Sequence, residues 1–389
     1  TDKNGPKHIF RQNDYKFMTP GSATKLFTVY GAMHLLSDTL PALEYEIKGD
    51  SMIFWSTGYP LSLHPEHGDS IVIDFLKKTD KKLVYWPRPI EDKRFGPGWG
   101  WDDYPYYFGA EKSALPLYGN SIRFILDNAQ KTYEMSPNFR GFQVNFDSLY
   151  ASKSAVSRDE FWNEFRLQYN TTSEKDTITR AFHTSDALSI ELLSQIIDKP
   201  ISIKEKHQRP DRFYQVQGVL ADSLYKWTLQ DSDNLFAEQI LLMVSGASSD
   251  TLSTKAAIKQ IQLMSKSMEF ISQDNEQVWV DGSGLSRYNM FSPRNLESSI
   301  FVMERDFGRE RVLSLLPRGK TSGTLKDWYG PYVYAKTGTL SNNHALVGFI
   351  HTKKGRWFTF SFMVNHYTAP TQTIRESMGV VLKKIYEAY

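Results

Sequence analysis

Three stretches near the end of the chain decide its fold: YVYAKTG (332–338), HALVGFIHT (344–352) and RWFTFSFMVNH (356–366). Apolar and polar residues alternate along them and short polar turns separate them, which is typical of antiparallel strands that follow one another in a sheet. A helical pattern over 371–388 closes the chain. Helices before such a sheet and one helix after it indicate an α+β domain.

Upstream of this sheet, Ser22 begins an apolar helical run that reaches about residue 36, and strands are predicted over 43–48 and 51–55. Residues 56–120 are rich in Gly, Pro and aromatic side chains, which favours irregular loops and short strands. Helical spacing of apolar residues predicts five further helices, over 157–168, 184–198, 217–247 with a polar break at 230–234, 251–266 and 294–305.

The composition excludes several classes of function. The chain has 389 residues and a net charge of +2, so charge gives no reason to expect a nucleic-acid partner. It has no cysteine, which excludes disulfides, thiolate metal sites and thiol nucleophiles. No apolar run of about 18 residues predicts a membrane span. The opening residues TDKNGPKHIF do not resemble a signal peptide, so the protein is either cytosolic or has lost a leader.

The first chemical motif is Ser22-Ala23-Thr24-Lys25, at the start of the apolar run. Residues three apart on a helix share a face, and the free N–H groups at a helix start favour a developing oxyanion. Lys25 can act as a base for Ser22 only if burial or nearby positive charge lowers the pKa of the amine. Alone, this motif is most often ordinary helix sequence.

The second motif is Lys336-Thr337-Gly338-Thr339, at the end of the first predicted strand. A lysine supplies charge for a substrate carboxylate, and the hydroxyls of Thr337 and Thr339 share one face of the strand. Gly338 leaves room for a ligand backbone at the strand edge. The similar sequence KTSG (320–323) lies in a polar loop without flanking strands, so we assign it no role.

The third motif is Ser232-Asp233-Asn234, in the polar break of the predicted helical region. The hydroxyl of Ser232 could relay a proton, and the amide of Asn234 could hold a substrate amide. By itself such a triplet is most often a helix cap or a turn.

The three motifs in this order form the set found in penicillin-binding proteins and class A β-lactamases. The long gap between the first two motifs, with the stretch GPGWGWDDYPYYFGAEKSALPLYGN inside it, resembles class C low-molecular-mass penicillin-binding proteins, the D-Ala-D-Ala carboxypeptidase/endopeptidase family. The stretches SDNLFAEQIL and DGSGLSRYNMFSP also match. The chain departs from that family in having Pro-Gly where Pro-Ala is expected before Ser22, and in a somewhat short first gap.

The resemblance implies roles for the motif residues. Ser22 would attack the carbonyl of the penultimate D-Ala while Lys25 takes its proton, and Ser232 would help to protonate the departing D-Ala. The backbone N–H groups of Ser22 and Thr339 would form the oxyanion hole. We further expect Lys336 to lie close enough to Lys25 to lower the pKa of Lys25.

The remaining implied roles concern binding. Asn234 would hold the peptide amide, Lys336 would set the electrostatics of the site, and Thr337 and Thr339, with Gly338 between them, would bind the terminal carboxylate. No cofactor is implied. The pair His64 and His67 has metal-like spacing but lies in a predicted loop, so we predict no metal site.

Two surface features have alternative interpretations. Trp99 and Asp102 belong either to ordinary loop packing or to a pocket for the cationic end of a diamino acid in the peptide. The basic run KKTDKK (77–82) is either solvated surface or a peripheral contact with the anionic wall or a membrane.

The sequence therefore predicts an α+β, transpeptidase-like catalytic domain formed by 1–45 and 200–389. The resemblance implies that its core is a five-stranded antiparallel sheet flanked by helices. A domain over 46–199 is inserted, with any third subdomain reduced. The predicted activity is a serine D-Ala-D-Ala carboxypeptidase or endopeptidase on peptidoglycan peptides that β-lactam antibiotics acylate, located in the periplasm or otherwise outside the cytoplasm. Two alternatives stay open: a β-lactamase or esterase on the same core, and a penicillin-acylated sensor or scaffold with little turnover.

Overall fold

A computed structural model describes residues 9–147, 152–171, 174–205, 208–267 and 277–389. The chain divides into two compact units. Unit 1 comprises the chain up to Tyr30, Leu229–Ser232 and Ile261–Tyr389, and unit 2 comprises Gly31–Thr228 and Asp233–Gln260. The predicted boundaries of a catalytic domain (1–45 and 200–389) and an inserted domain (46–199) remain a prediction.

The described residues form strands and helices along their whole length. The strands are β1 Thr39–Lys48, β2 Ser51–Ser56, β3 Lys82–Tyr85, β4 Ser121–Asp127, β5 Thr132–Ser136, β6 Gln143–Phe146, β7 Ala155–Arg158, β8 Glu164–Gln168, β9 Lys175–Ala181, β10 Ile201–Ile203, β11 Tyr214–Leu220, β12 Val333–Leu340, β13 Asn343–His351 and β14 Trp357–Asn365. The helices are α1 Lys25–Leu35, α2 Ile71–Lys78, α3 Asp186–Ile197, α4 Ala221–Gln230, α5 Asn234–Ser248, α6 Thr254–Ser267, α7 Pro293–Phe307, α8 Arg309–Leu315 and α9 Thr371–Ala388.

Unit 1 contains the sheet that the sequence predicts most clearly. Strands β12, β13 and β14 pair antiparallel in chain order, with Lys336 opposite Val347. Buried side chains of β12 and β13, including Ala335 and Leu346, pack with Leu382 of α9. The predicted three-strand meander and closing helix are confirmed.

The five-stranded antiparallel sheet that the resemblance implies for the core is not what the described residues show. The sheet that carries Lys336 has three strands there. The five-stranded sheet is in unit 2 and is mixed, in the order β10-β3-β2-β1-β11, because β3 pairs in parallel with both β2 and β10. Unit 2 also contains two three-stranded sheets, β5-β4-β9 and β6-β8-β7.

The predicted helix over 157–168 is wrong. The structure has strands β7 and β8 there, paired antiparallel with Val156 opposite Leu167. The turn between them is closed by Asp159, whose carboxylate accepts hydrogen bonds from the backbone N–H groups of Phe161 and Trp162. Every second residue of β7 and β8 is buried, so the true apolar period is two rather than 3.6.

The predicted helical region 217–247 begins as a strand. Residues up to Leu220 form β11, which pairs with β1, and α4 and α5 follow on either side of the predicted break. The predicted helices over 184–198, 251–266 and 294–305 are confirmed as α3, α6 and α7. Local signals fix their starts: Ser185 caps α3, and Ser292 with Asn295 forms a capping box before Pro293 of α7.

Candidate active site

Ser22 lies in a short 3-10 turn, Gly21–Thr24, that leads directly into α1. The hydroxyl of Thr24 donates to the carbonyl of Gly21 at 2.9 Å and closes this turn. Lys25, the first residue of α1, donates from Nζ to Ser22 Oγ at 2.9 Å. The spacing of the motif therefore brings its hydroxyl and its amine together as predicted, across the junction of a tight turn and a helix.

Lys25 is fully buried, and its Nζ has a second hydrogen-bond acceptor besides Ser22 Oγ. Its Nζ also donates to the carbonyl of Ser283 at 2.7 Å. The loop that presents this carbonyl is organised by the buried carboxylate of Asp281, which accepts from the backbone N–H groups of Gly284 and Ser286. Sequence reasoning matched this stretch to the family but missed its contact with Lys25.

The side chain of Lys336 is also fully buried, on strand β12. Its Nζ donates to Ser232 Oγ at 2.8 Å and to the carbonyl of Thr337 at 2.9 Å. The pKa of Lys336 lies well below its ordinary value, first because burial penalises the charged form and second because the positive charge of Lys25 is nearby. The two lysines therefore belong to one electrostatic site.

Ser232 has a φ of 61°, in the left-handed region that disfavours residues with a Cβ. Such a conformation costs on the order of 1–2 kcal/mol, and it persists where the surrounding structure imposes it. The turn places the Ser232 hydroxyl on Lys336, so the strain coincides with a contact between two motif residues.

Two glycines allow the Ser22 turn to lie directly against strand β12. A Cβ on Gly338 would come within 2.0 Å of the Pro20 carbonyl oxygen. A Cβ on Gly21, which has a φ of 54°, would come within 2.9 Å of the Thr339 nitrogen. The room beside Gly338, which the sequence interpretation assigned to a ligand backbone, is therefore filled by the chain's own turn. The departure from Pro-Ala before Ser22 has a physical reason, because Gly21 tolerates both the conformation and the contact.

The two threonines of the second motif have different surroundings. Thr337 is buried, and its hydroxyl donates to Thr324 Oγ1 at 3.0 Å. Thr339 is exposed, and its Oγ1 lies 2.9 Å from Nδ1 of His344 on β13. Neither Thr324 nor His344 carries a recognisable motif in the sequence, so both partners were missed.

Asn234 is the first residue of α5 in unit 2. Asp233 caps this helix by accepting from the Phe236 N–H at 2.8 Å. The side-chain amide of Asn234 donates to the carbonyl of Phe108 at 2.9 Å. The third motif thus combines a strained serine, a helix cap and a hydrogen-bonded amide in three successive residues.

The loop of Trp99 and Asp102 is also in unit 2. Trp99 is half-buried, with its ring centroid 6.2 Å from that of Phe95, and Asp102 is exposed in a 3-10 turn, Trp101–Asp103. The most exposed aromatic ring of the loop is that of Trp101, at 75%. Both interpretations of this loop remain open.

The described residues contain no group of three or more His, Cys, Asp or Glu side chains able to hold a metal ion. Within the same residues, no helix has the length and apolar character needed to cross a membrane.

Comparison with known proteins identifies relatives over most of the chain. A sequence model of the D-Ala-D-Ala carboxypeptidase 3 (S13) family matches residues 78–385, a range that contains Ser232, Asn234 and Lys336 and begins after Ser22. The D-alanyl-D-alanine carboxypeptidase DacB of Haemophilus influenzae is 24% identical over 328 residues, which are 75% of this chain and 66% of that protein. The penicillin-sensitive carboxypeptidase A of Dictyostelium discoideum is 32% identical over 139 residues, which are 33% of this chain and 26% of that protein.

The matched stretches thus span between about a quarter and two thirds of the length of these two relatives. Among solved structures, penicillin binding protein 4 (dacB) from Haemophilus influenzae superposes with a TM-score of 0.80 at 19% identity, covering 97% of this chain and 93% of that one. This likeness confirms the predicted α+β fold class.

Proposed function

We infer that this chain, which belongs to the D-Ala-D-Ala carboxypeptidase 3 (S13) family, is a serine peptidase that cleaves D-Ala-D-Ala peptides of peptidoglycan through an acyl-enzyme. The observation that carries the proposal is a pair of hydroxyl–lysine contacts in unit 1, Ser22 with Lys25 and Ser232 with Lys336. Both lysines are buried, and the pKa of Lys336 lies well below its ordinary value.

These hydroxyl–lysine contacts support acylation of Ser22. A serine hydroxyl is a weak nucleophile until a base accepts its proton. Two ammonium groups in one buried site repel each other, so the site favours a state in which one of the two lysines is neutral. The lowered pKa is that of Lys336, but two coupled groups share their protons, so the neutral state can belong to either lysine. We propose that Lys25, whose Nζ contacts Ser22 Oγ, is the neutral lysine during acylation. It takes the Ser22 proton as Ser22 Oγ bonds to the carbonyl carbon of the penultimate D-Ala.

Collapse of the tetrahedral intermediate breaks the C–N bond, and the departing D-Ala amine gains a proton through Ser232. Water then attacks the acyl-enzyme and releases the shortened peptide. The backbone N–H groups of Ser22 and Thr339 are our candidates for the oxyanion hole. The turn that carries Ser22 lies against this part of β12, since a Cβ added to Gly21 would come within 2.9 Å of the Thr339 nitrogen, and this supports the assignment. Such donors act where negative charge develops, and removal of one typically lowers kcat by about 10²–10³-fold.

We also propose which residues contact the substrate. Thr337 and Thr339 would bind the terminal carboxylate under the field of Lys336, and Asn234 would hold the peptide amide. Trp99 and Asp102 would select a cationic side chain of the stem peptide. The relative from Dictyostelium is a penicillin-sensitive carboxypeptidase, which supports acylation of this chain by β-lactams. We propose that the protein acts outside the cytoplasm, where peptidoglycan peptides are found.

One experiment tests the proposal and separates its alternatives. The protein is incubated with a D-Ala-D-Ala peptide and with benzylpenicillin, while D-Ala release and intact mass are followed. We expect released D-Ala and one penicilloyl adduct, which peptide mapping assigns to Ser22. The fully buried Ser283 and Ser286 serve as internal controls, since an adduct on either contradicts the assignment.

The rates decide between the remaining outcomes. A stable adduct without D-Ala release would indicate a sensor or scaffold. Rapid recovery of unmodified protein, with hydrolysed penicillin, would indicate a β-lactamase. No adduct and no release would refute the serine mechanism.

A further inference from the structure

The contact between Thr339 and His344 plays no part in the mechanism proposed above. Thr339 and His344 lie directly opposite each other in the β12–β13 register. Thr339 is exposed, whereas His344 is only 1% exposed. A distance of 2.9 Å joins Thr339 Oγ1 to His344 Nδ1, so a buried imidazole lies behind an accessible hydroxyl.

The surroundings of the imidazole decide which ring nitrogen carries its hydrogen. His344 Nε2 is buried and has no hydrogen-bond partner among the described residues. A neutral imidazole has one N–H, and a buried N–H without a partner is rarer and more costly than an unpaired acceptor. The hydrogen therefore belongs on Nδ1, where it donates to Thr339 Oγ1.

The same surroundings keep the ring neutral. Burial and, as a smaller cause, the positive charge of Arg375 together lower the pKa of His344 to about 4. Protonation would add a second buried N–H, at Nε2, where the described residues offer no acceptor. At neutral pH the ring therefore has a single N–H.

We propose that His344 is a positioning residue for the reaction proposed above: its Nδ1–H donates to Thr339 Oγ1 and thereby leaves the Thr339 hydroxyl hydrogen free for the C-terminal carboxylate of the substrate. A hydroxyl has one hydrogen and can both donate and accept. If the imidazole accepted instead, the Thr339 oxygen would present lone pairs to a carboxylate and repel it. The inference rests on the proposed function and names a partner outside the three motifs.

The test compares two peptides that differ only at the C-terminus, D-Ala-D-Ala and its C-terminal amide. His344→Phe keeps a ring of similar size but removes the donor. We expect kcat/KM for the acid to fall about 10- to 100-fold, as for loss of one hydrogen bond to a charged group, and kcat/KM for the amide to stay within twofold. His344→Asn, which can offer an amide N–H from a similar position, should restore most of the loss.

A double variant separates positioning from general support of the fold. Thr339→Val should lower the acid rate on its own, and adding His344→Phe to it should cause no further loss. Equal losses on acid and amide, or losses that multiply in the double variant, would overturn the role of His344. If the wild type releases no D-Ala and binds no penicillin, the proposed function fails first, and the role of His344 fails with it.

A second measurement needs no variant and so does not depend on folding of His344→Phe. Nitrogen-15 NMR of the histidine rings at pH 7 should show His344 as the Nδ1–H tautomer, with Nε2 unprotonated. The Nε2–H tautomer or an imidazolium at that pH would overturn the inference, whatever the kinetics of the variants.

Discussion

The lysine pair of unit 1, Lys25 and Lys336, and the tryptophan loop of unit 2, which contains Trp99 and Asp102, differ in how far their charged groups are exposed to solvent. Lys25 and Lys336 are fully buried, and the chain itself supplies acceptors for both ammonium groups. Asp102 is exposed on a loop whose neighbouring ring, Trp101, is three-quarters exposed. The first region is fixed before any ligand arrives, whereas the second offers surface that only a ligand from outside could cover.

This difference determines how strongly each region responds to change. Buried polar groups need their partners, so removal of one leaves another unsatisfied in a medium of low dielectric constant. Exposed charges are screened by water and contribute little in the absence of a ligand. We therefore expect large, general effects from the lysine pair and small, substrate-dependent effects from the loop.

The largest effect is expected for Lys25→Ala. Loss of the proposed general base should slow acylation by benzylpenicillin about 10²–10⁴-fold, measured as the rate of adduct formation by intact mass. Lys336→Ala should also slow it, through loss of positive charge and of the contact with Ser232. Acylation of Lys25→Ala at a rate near that of the wild type would mean that another group is the base.

Lys320→Ala is the matched control for these lysine variants. Lys320 begins the similar sequence KTSG, but its Nζ is exposed and donates to the carbonyl of Asp327. Its removal should leave acylation unchanged within about twofold, since it touches no residue of the three motifs.

The next largest effect concerns the dependence of stability on pH. His344 has a pKa of about 4 when folded against 6.5 when exposed, so between these values the unfolded chain binds a proton that the folded chain does not. The contribution is fully present above pH 6.5 and is lost as the pH falls towards 4, by about 3 kcal/mol in all. Urea unfolding of the wild type and of His344→Asn at pH 7.5 and 4.5 measures it.

Carboxylates also titrate in this range, so the difference between the two proteins is the informative quantity. The free energy of unfolding should fall less for His344→Asn than for the wild type on acidification. Parallel losses in the two proteins would show that His344 is not the group responsible.

The motifs could be predicted from sequence because their chemistry requires fixed residue types at short spacing. Ser22 and Lys25 are three residues apart, and their contact follows from local geometry. The same holds for the alternating pattern of β12, β13 and β14. These features depend on neighbours in the chain, which are visible in the sequence.

The features that sequence reasoning missed depend on contacts between distant segments. The Ser283 carbonyl meets Lys25 from a loop 258 residues away, and a backbone acceptor leaves no trace in residue identity. His344 looks like any strand residue until the register places it opposite Thr339. The prediction of a helix over 157–168 is wrong because the alternating burial of β7 and β8 depends on their pairing across a turn, which their apolar spacing does not reveal.

A smaller effect on acylation is expected for Gly21→Ala, because Gly21 lies in the turn that carries Ser22. Gly21→Ala and Gly49→Ala both place a side chain at a positive φ, of 54° and 60°, which costs on the order of 1–2 kcal/mol. Only at Gly21 does the new Cβ also approach backbone, the Thr339 nitrogen at 2.9 Å, whereas nothing lies within 4 Å at Gly49. We expect both to lower Tm, and only Gly21→Ala to slow acylation, by about tenfold through the displaced donor. Equal acylation by the two variants would contradict a role for the Thr339 N–H.

The smallest effect is expected in the loop, for Asp102→Asn. If Asp102 pairs with the free amine of a diamino acid in the stem peptide, removal of its charge should lower kcat/KM for such peptides, by no more than about fivefold because an exposed pair contributes only about 0–1 kcal/mol. The contact is remote from the scissile bond, so it should act by holding the peptide in register, and acylation by benzylpenicillin, which lacks that amine, should not change. Asp80→Asn, another exposed carboxylate of unit 2, is the matched control. A peptide in which the amine is acetylated should erase the difference between Asp102→Asn and the wild type. Equal losses of kcat/KM on the peptide and of the acylation rate with benzylpenicillin would instead show that the loop supports the fold. The loop would then respond to substitution in the same general way as the lysine pair.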